Sequence, residues 1–165
     1  MPSGKLQEEA ALKYKGRKLL WDEPADAAAP NTRWRIYVFK GESTVGEPLL
    51  VHKQSCYLFG RDRAIADIPT DHPSCSAQHA VLQYRRVGDR VLNSDDLDGK
   101  KELVVVSDVR PYIMDLGSTN GTTLNGEKLP PKTYVEVKEK DVVKFAFSTR
   151  DYVFVQDRDH AADDE

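Results

Sequence analysis

The chain has 165 residues, of which 39% are hydrophobic, 8% aromatic and 31% charged, and its 24 Lys and Arg against 27 Asp and Glu give a formal net charge of −3. At roughly 100 to 200 residues per domain that is room for one folded unit with tails, and the composition excludes collagen, a coiled coil and wholesale disorder. The longest run free of Asp, Glu, Lys and Arg, His72 to Tyr84, is too short and too polar to span a bilayer.

The chain opens with MPSGKLQEEAALKYKG, which has no apolar core of the kind a secretory signal needs. The expectation is an intracellular, reducing compartment in which Cys56 and Cys75 are free, small, buried thiols. Residues 13 to 24, KYKGRKLLWDEP, join a basic half to an apolar cluster of Leu19, Leu20 and Trp21. On a flexible arm such a cluster is a partner anchor, Trp above all, so the segment is expected to be disordered alone and to order on a partner. The alternative is that Leu20 and Trp21 fold back as an edge strand. ADAAAP, between Pro24 and Asn31, reads as a linker. The division is then a linear segment over 1–30, a domain over 31–157 and an acidic tail over 158–165. Residues 31 to 156 carry 18 basic and 17 acidic side chains. A body so balanced has little drive to bind a nucleic-acid backbone wholesale, and a local basic site stays open.

From Asn31 onward short apolar or alternating runs recur between turn signals: Trp34–Phe39, Leu49–Val51, Tyr57–Phe59, Ala80–Tyr84, Tyr112–Met114, Val142–Phe147 and Tyr152–Val155. Arg33 to Val38 alternates with period two, the mark of a half-buried strand. No segment sustains a helical stripe over three turns. The fold class is all-β, a sandwich of two antiparallel sheets. Trp34, Tyr37, Phe39, Phe59, Tyr84, Tyr112, Phe145, Phe147 and Phe154 are expected to be mostly core rather than a nucleic-acid stacking face. Of Asn120-Gly121 and Asn125-Gly126, at least one should close a tight hairpin. Val87 to Arg110, which contains GDRVLNSDDLDGKK, reads as a long exposed excursion with LVVV at 103–106 as a possible extra strand.

Polar residues gather at three connections: Gly60-Arg61 after a strand, Ser76-Ala77-Gln78-His79 before one, and Asp115 to Thr122, DLGSTNGT, between two. A sandwich carries its specificity in the loops at one end. Brought together there, these residues supply a guanidinium fork, hydroxyls and a carboxamide. That set suits a phosphate ester on a peptide, with Arg on two phosphate oxygens and Asn on the ligand backbone. Two rivals from another class fit less well. His52, Cys56, His72, Cys75 and His79 contain no Cys-x-x-Cys pair and match no common zinc spacing. Ser76 or Cys75 with His79 and Asp71 lacks a nucleophile elbow and an oxyanion-hole signature.

The order G-R, S-x-x-H, D-x-G-S-T-N-G-T and a following L-N-G resembles the forkhead-associated (FHA) domain, over roughly residues 32 to 156. RWRIYVFK, RDRAIADIPTDHPSCSAQHAVLQYR, RPYIMDLGSTNGTTLNG and YVEVKEKDVVKFAFSTRDYV are more specifically similar to the Smad nuclear-interacting protein family, the FHA subunits of the pre-mRNA retention and splicing complex. The resemblance implies a nuclear, non-enzymatic spliceosomal scaffold with no cofactor and no metal. Its partners would be an RNA-recognition-motif subunit, a third small subunit, spliceosomal proteins and a phosphothreonine peptide, with no membrane. Position by position it makes Arg61 and Ser76 phosphate ligands, Thr119 a further phosphate-side contact and Asn120 the grip on the peptide main chain. His79 braces the loop presenting Ser76, and Gly60 and Gly121 permit the backbone geometry. It also implies that a peptide just upstream of the FHA domain, here with Leu19, Leu20 and Trp21, engages the RNA-recognition-motif subunit. Ala77 departs from the family, where a polar contact often follows the serine. The alternative among binding modules is an FHA adaptor in nuclear signalling or the DNA-damage response, and from a different class a zinc-dependent or hydrolytic protein.

Overall fold

The computed structural model describes residues 18–93 and 103–161. Among them there is no helix, and twelve strands form two sheets packed face to face. The larger sheet contains β1 (Thr32–Lys40), β2 (Ser43–Thr44), β3 (Leu49–Leu50), β8 (Thr122–Leu124), β9 (Glu127–Lys128), β11 (Val142–Phe145) and β12 (Arg150–Ala161). Its order is β2-β1-β12-β11-β8-β9, with β3 also paired to β1. The smaller sheet contains β4 (Cys56–Gly60), β5 (Ile68–Pro69), β6 (Ala80–Asn93), β7 (Leu103–Asp115) and β10 (Val135–Glu136), in the order β10-β7-β6-β4-β5. All pairs are antiparallel except β4 with β5.

Alternation along the strands selects the core. Trp34, Ile36 and Val38 of β1, with Phe145 of β11 and Tyr152 and Phe154 of β12 in the same larger sheet, point inward against Tyr57 and Phe59 of β4, Leu82 and Tyr84 of β6 and Ile113 of β7. Phe145 lies at the centre, with ring centroids 4.8 Å from Phe59 and 4.9 Å from Tyr152. Cys75 is buried in this cluster, and the half-buried Cys56 packs at a second one. Asn125 and Gly126, with φ of 51° and 85°, form the two-residue turn joining β8 to β9, the expected hairpin.

The second cluster lies on the outer face of the smaller sheet, where Leu58, Val81 and Met114 from adjacent strands meet Ile65 and Leu116. Runs such as YLF and AVL are apolar on both strand faces, so this sheet must be covered on its outer side as well. Leu19 and Trp21 provide part of that cover. The strap then continues along the sheet. Glu23 accepts from the Ser55 hydroxyl and, at 3.2 Å, from the Gln83 amide, and Asp26 pairs through both oxygens with Arg85 at 2.9 and 3.0 Å. Ala28 N–H donates to Tyr84 O, Arg86 N–H donates to Asp26 O, and Ala27 bridges to Arg85. The expectation of a free arm over 13–24 is therefore corrected for 18–24: the strap forms no core of its own, but an apolar sheet face takes up Leu19 and Trp21. It is not an added edge strand either, since it crosses the outer face. Residues 13–17 lie outside the described residues.

Three further expectations change. The 87–110 excursion is a two-stranded ribbon, because β6 and β7 stay paired out to Asn93 and Leu103 past a bulge between Arg86 and Gly88. Its tip, 94–102, lies outside the described residues. β11 stops at Phe145, where Ala146 takes φ 53°. Phe147 consequently turns out of the sandwich and is 69% exposed, against the expectation of core. At the carboxyl end β12 continues to Ala161, so residues 158–161 belong to a strand rather than to a tail.

Candidate functional site

At one end of the sandwich the connections after β4, before β6, between β7 and β8 and after β11 converge. The first contact is steric. A Cβ on Gly60 would sit 2.0 Å from Ala77 O, so only glycine lets the β4 terminus and the 74–79 loop lie together. The φ of Gly60 is not positive, so the backbone geometry it permits is one of close approach. Arg61 and Asp62 N–H then donate to Ser76 and Ala77 O at 3.0 and 3.2 Å. The Ala77 carbonyl is thus engaged while its exposed methyl offers a ligand nothing polar.

The Arg61 side chain is exposed and oriented by one bond, from Nε to Cys75 O at 2.9 Å. Among the described residues it makes no ion pair, because its acidic neighbours are engaged elsewhere: Asp67 accepts from Leu58 N–H at 2.7 Å, Asp71 is paired with Arg63, and Asp62 accepts from Ala64 N–H at 3.0 Å. Its two terminal nitrogens can address two oxygens of one phosphate. Ser76 lies in the facing loop, where its hydroxyl accepts from Thr119 N–H at 3.2 Å, and Asn120 Nδ2 donates to Ser74 O at 2.9 Å. Arg61, Ser76, Thr119 and Asn120, which come from three separated stretches of sequence, are therefore gathered at one place as expected.

His79 braces this array from behind. It is fully buried, its Nδ1 accepts from Ser76 N–H at 3.1 Å, and its Nε2 lies 2.9 Å from Gly121 O. An acceptor at Nδ1 requires the proton on Nε2, so the neutral ring donates to Gly121 and links the two ligand loops. Burial pushes its pKa down, with the bond to Gly121 O and the nearby Asp115 carboxylate opposing. Gly121 has φ 82°, a conformation L side chains rarely adopt, and a Cβ there would meet Lys128 Cε at 2.8 Å.

Some site-shaping residues escaped the sequence reading. Asp115 is 2% exposed: its Oδ2 accepts from Gly117 and Ser118 N–H at 3.0 Å, and its Oδ1 accepts from the Ser118 and Thr122 hydroxyls at 2.6 and 2.7 Å. The signal was present, since an Asp two residues before Gly-Ser is an Asx-turn pattern. Ser74 Oγ accepts from Phe147 N–H at 3.0 Å, which ties the connection after β11 to the same end.

The arrangement does not favour the catalytic rival. His79 Nδ1 meets the backbone N–H of Ser76 rather than its hydroxyl, and Asp71 is bound to Arg63. Among the described residues no three His, Cys, Asp or Glu side chains gather as a metal-binding set.

The two sheets pack face to face and gather Arg61, Ser76, Thr119 and Asn120 in the loops at one end. The FHA domain family matches residues 57–146, and the chain belongs to that family. It is 52% identical over 94% of its length to the FHA domain-containing protein DDL of Arabidopsis thaliana, and 46% identical over 94% to the Smad nuclear-interacting protein 1 of Mus musculus. These matches cover 46% and 38% of the two relatives, so the chain spans less than half of their length. Among solved structures, the yeast Pml1 splicing factor, described with its integration into the RES complex, shares the fold at a TM-score of 0.64 with 24% identity, over 83% of this chain and 97% of that one.

Proposed function

We propose that the chain is a non-enzymatic FHA scaffold of a spliceosome-associated pre-mRNA retention and splicing complex in the nucleus, holding a phosphothreonine peptide at Arg61, Ser76, Thr119 and Asn120. The observation that carries the ligand is the exposed guanidinium of Arg61, fixed through Nε and, among the described residues, unpaired at its terminal nitrogens, beside the Ser76 and Thr119 loops. Arg61 would grip the phosphate, Ser76 and Thr119 would supply further donors, and Asn120 would hold the peptide main chain. The splicing assignment draws on the names of the relatives, a nuclear-interacting protein and a splicing factor of the RES complex.

On this reading an RNA-recognition-motif subunit, a third small subunit and spliceosomal proteins are the partners. The segment around Leu19, Leu20 and Trp21 would meet the first of these. With Leu19 and Trp21 half-buried on the sheet and Leu20 45% exposed, docking would start from Leu20 and the residues before it. Pulldown from nuclear extract with the full chain tests the assignment. Recovery of spliceosomal proteins supports it; recovery of checkpoint kinases instead would favour an adaptor in signalling.

A further inference from the structure

The strap that partly covers the outer sheet face passes beside the ligand loops, and Gln78 joins the two. Gln78 lies in the loop between Ser76 and His79. Its Nε2 donates to Lys18 O at 2.6 Å and its Oε1 accepts from Leu20 N–H at 2.9 Å. One side-chain amide thus closes a two-bond ring on the strap backbone. Lys132 Nζ also donates to Leu20 O at 2.9 Å, and Lys132 N–H donates to Asp115 O at 2.7 Å. Asp115 organises the Gly117–Gly121 loop. The Lys18–Leu20 backbone is therefore held by two residues, one belonging to the loop that carries Ser76 and one bonded to the loop that carries Thr119. Beneath it Leu19 and Trp21 pack on the second apolar cluster.

We infer that the strap is a positioning element of the phosphopeptide site, and that Gln78 is the residue through which strap docking and phosphopeptide binding are coupled. The inference rests on the phosphothreonine reading above. Ser76 has His79 bonded to it from the core, and Gln78, two residues along, bonded to the strap; releasing Gln78 removes the loop's bonds to the strap and leaves those to His79, Arg61, Thr119 and Asn120. Because the ligand loops take their binding arrangement more fully with the strap docked, a bound phosphopeptide must favour the docked strap in turn. A partner that lifts Leu19 and Trp21 off the sheet would weaken phosphopeptide binding, and a bound phosphopeptide would resist that partner by the same factor.

The test uses the full chain, Gln78→Ala, Trp21→Ala and the double variant, with two readouts. The first is affinity for a fluorescent phosphothreonine peptide selected on the parent from an oriented library. Loss of two hydrogen bonds to the strap should weaken binding about three- to tenfold in Gln78→Ala. Trp21→Ala, at a side chain outside the phosphate-binding set, should weaken it by a similar factor. The double variant should lose little beyond either single change, since both break one coupling. The second readout needs no ligand: amide hydrogen exchange at Arg61 and Thr119 should speed up severalfold in both single variants relative to Phe154 in the opposite sheet. Saturating phosphopeptide should in turn slow exchange at Leu20. Unchanged loop exchange with unchanged affinity overturns the coupling, as does a double variant whose losses simply multiply. If the parent itself selects no phosphothreonine peptide, the site reading fails instead, and the exchange rates at Arg61 and Thr119 still decide whether the strap holds the loops.

Discussion

Replacing Gly60 with alanine adds one methyl group at a close backbone contact of the site. Its Cβ would lie 2.0 Å from Ala77 O and 2.9 Å from Ala77 C, where carbon and oxygen need more than about 3 Å. The two chains must separate by roughly 1 Å, and neither is free to move. Gly60 O accepts from Thr70 N–H at 2.9 Å, Asp62 N–H holds Ala77 O at 3.2 Å, and His79 N–H donates to Phe59 O at 2.8 Å. Overpacking of a tight contact costs about 1–3 kcal/mol, and losing one of these buried bonds adds about 1 kcal/mol, for a total of about 2–4 kcal/mol. Since the φ of Gly60 is not positive, backbone strain from the alanine itself does not confuse the result. Urea unfolding measures the stability, and fluorescence anisotropy with a phosphothreonine peptide measures the Arg61–Ser76 geometry. A variant within about 0.5 kcal/mol of the parent and with unchanged affinity would refute the claim that close approach fixes this loop.

Asp115→Ala strips four bonds from a buried carboxylate and leaves two loop N–H groups and two hydroxyls without their acceptor. It should cost about 3 kcal/mol or more in urea unfolding and abolish phosphopeptide binding, whereas a loss below about 1 kcal/mol would remove its bracing role. His79 contributes a pH dependence whose sign follows from its depressed pKa. Its neutral form is preferred when folded, so its contribution is complete above the ordinary histidine value near 6.5 and is lost as pH falls from there through the lower folded value. Stability of the parent should drop over that acidic window, and His79→Phe should flatten the dependence; a parent curve indifferent to pH between about 7 and 5 would contradict this.

The strand layout was legible because period-two alternation reports which side chain faces the core, and Trp34, Phe59, Tyr84, Phe145 and Phe154 are all buried. Convergence of Arg61, Ser76, Thr119 and Asn120 was legible from motif order. The strap was not, because Leu19 and Trp21 announce an apolar need without naming the surface that meets it, and the outer face that does is assembled from β4, β6 and β7. The ribbon escaped for a related reason: Asp89, Arg90 and Gly88 look like a loop, yet cross-strand pairing of Val91 with Val105 carries the ladder past them. Phe147 was misplaced because continuing the alternation of β11 past Phe145 ignores the left-handed turn at Ala146.

Calorimetric titration of the full chain with a library-selected phosphothreonine peptide, beside its phosphoserine and unphosphorylated versions and against Arg61→Ala, tests phosphate recognition most directly. The parent should prefer the phosphothreonine peptide to both other versions. Removing the charge-assisted two-oxygen contact should cost about 1.5–3 kcal/mol, a loss of about 10- to 150-fold in affinity. Equal binding by Arg61→Ala and the parent, or no preference for the phosphorylated peptide, would contradict the site.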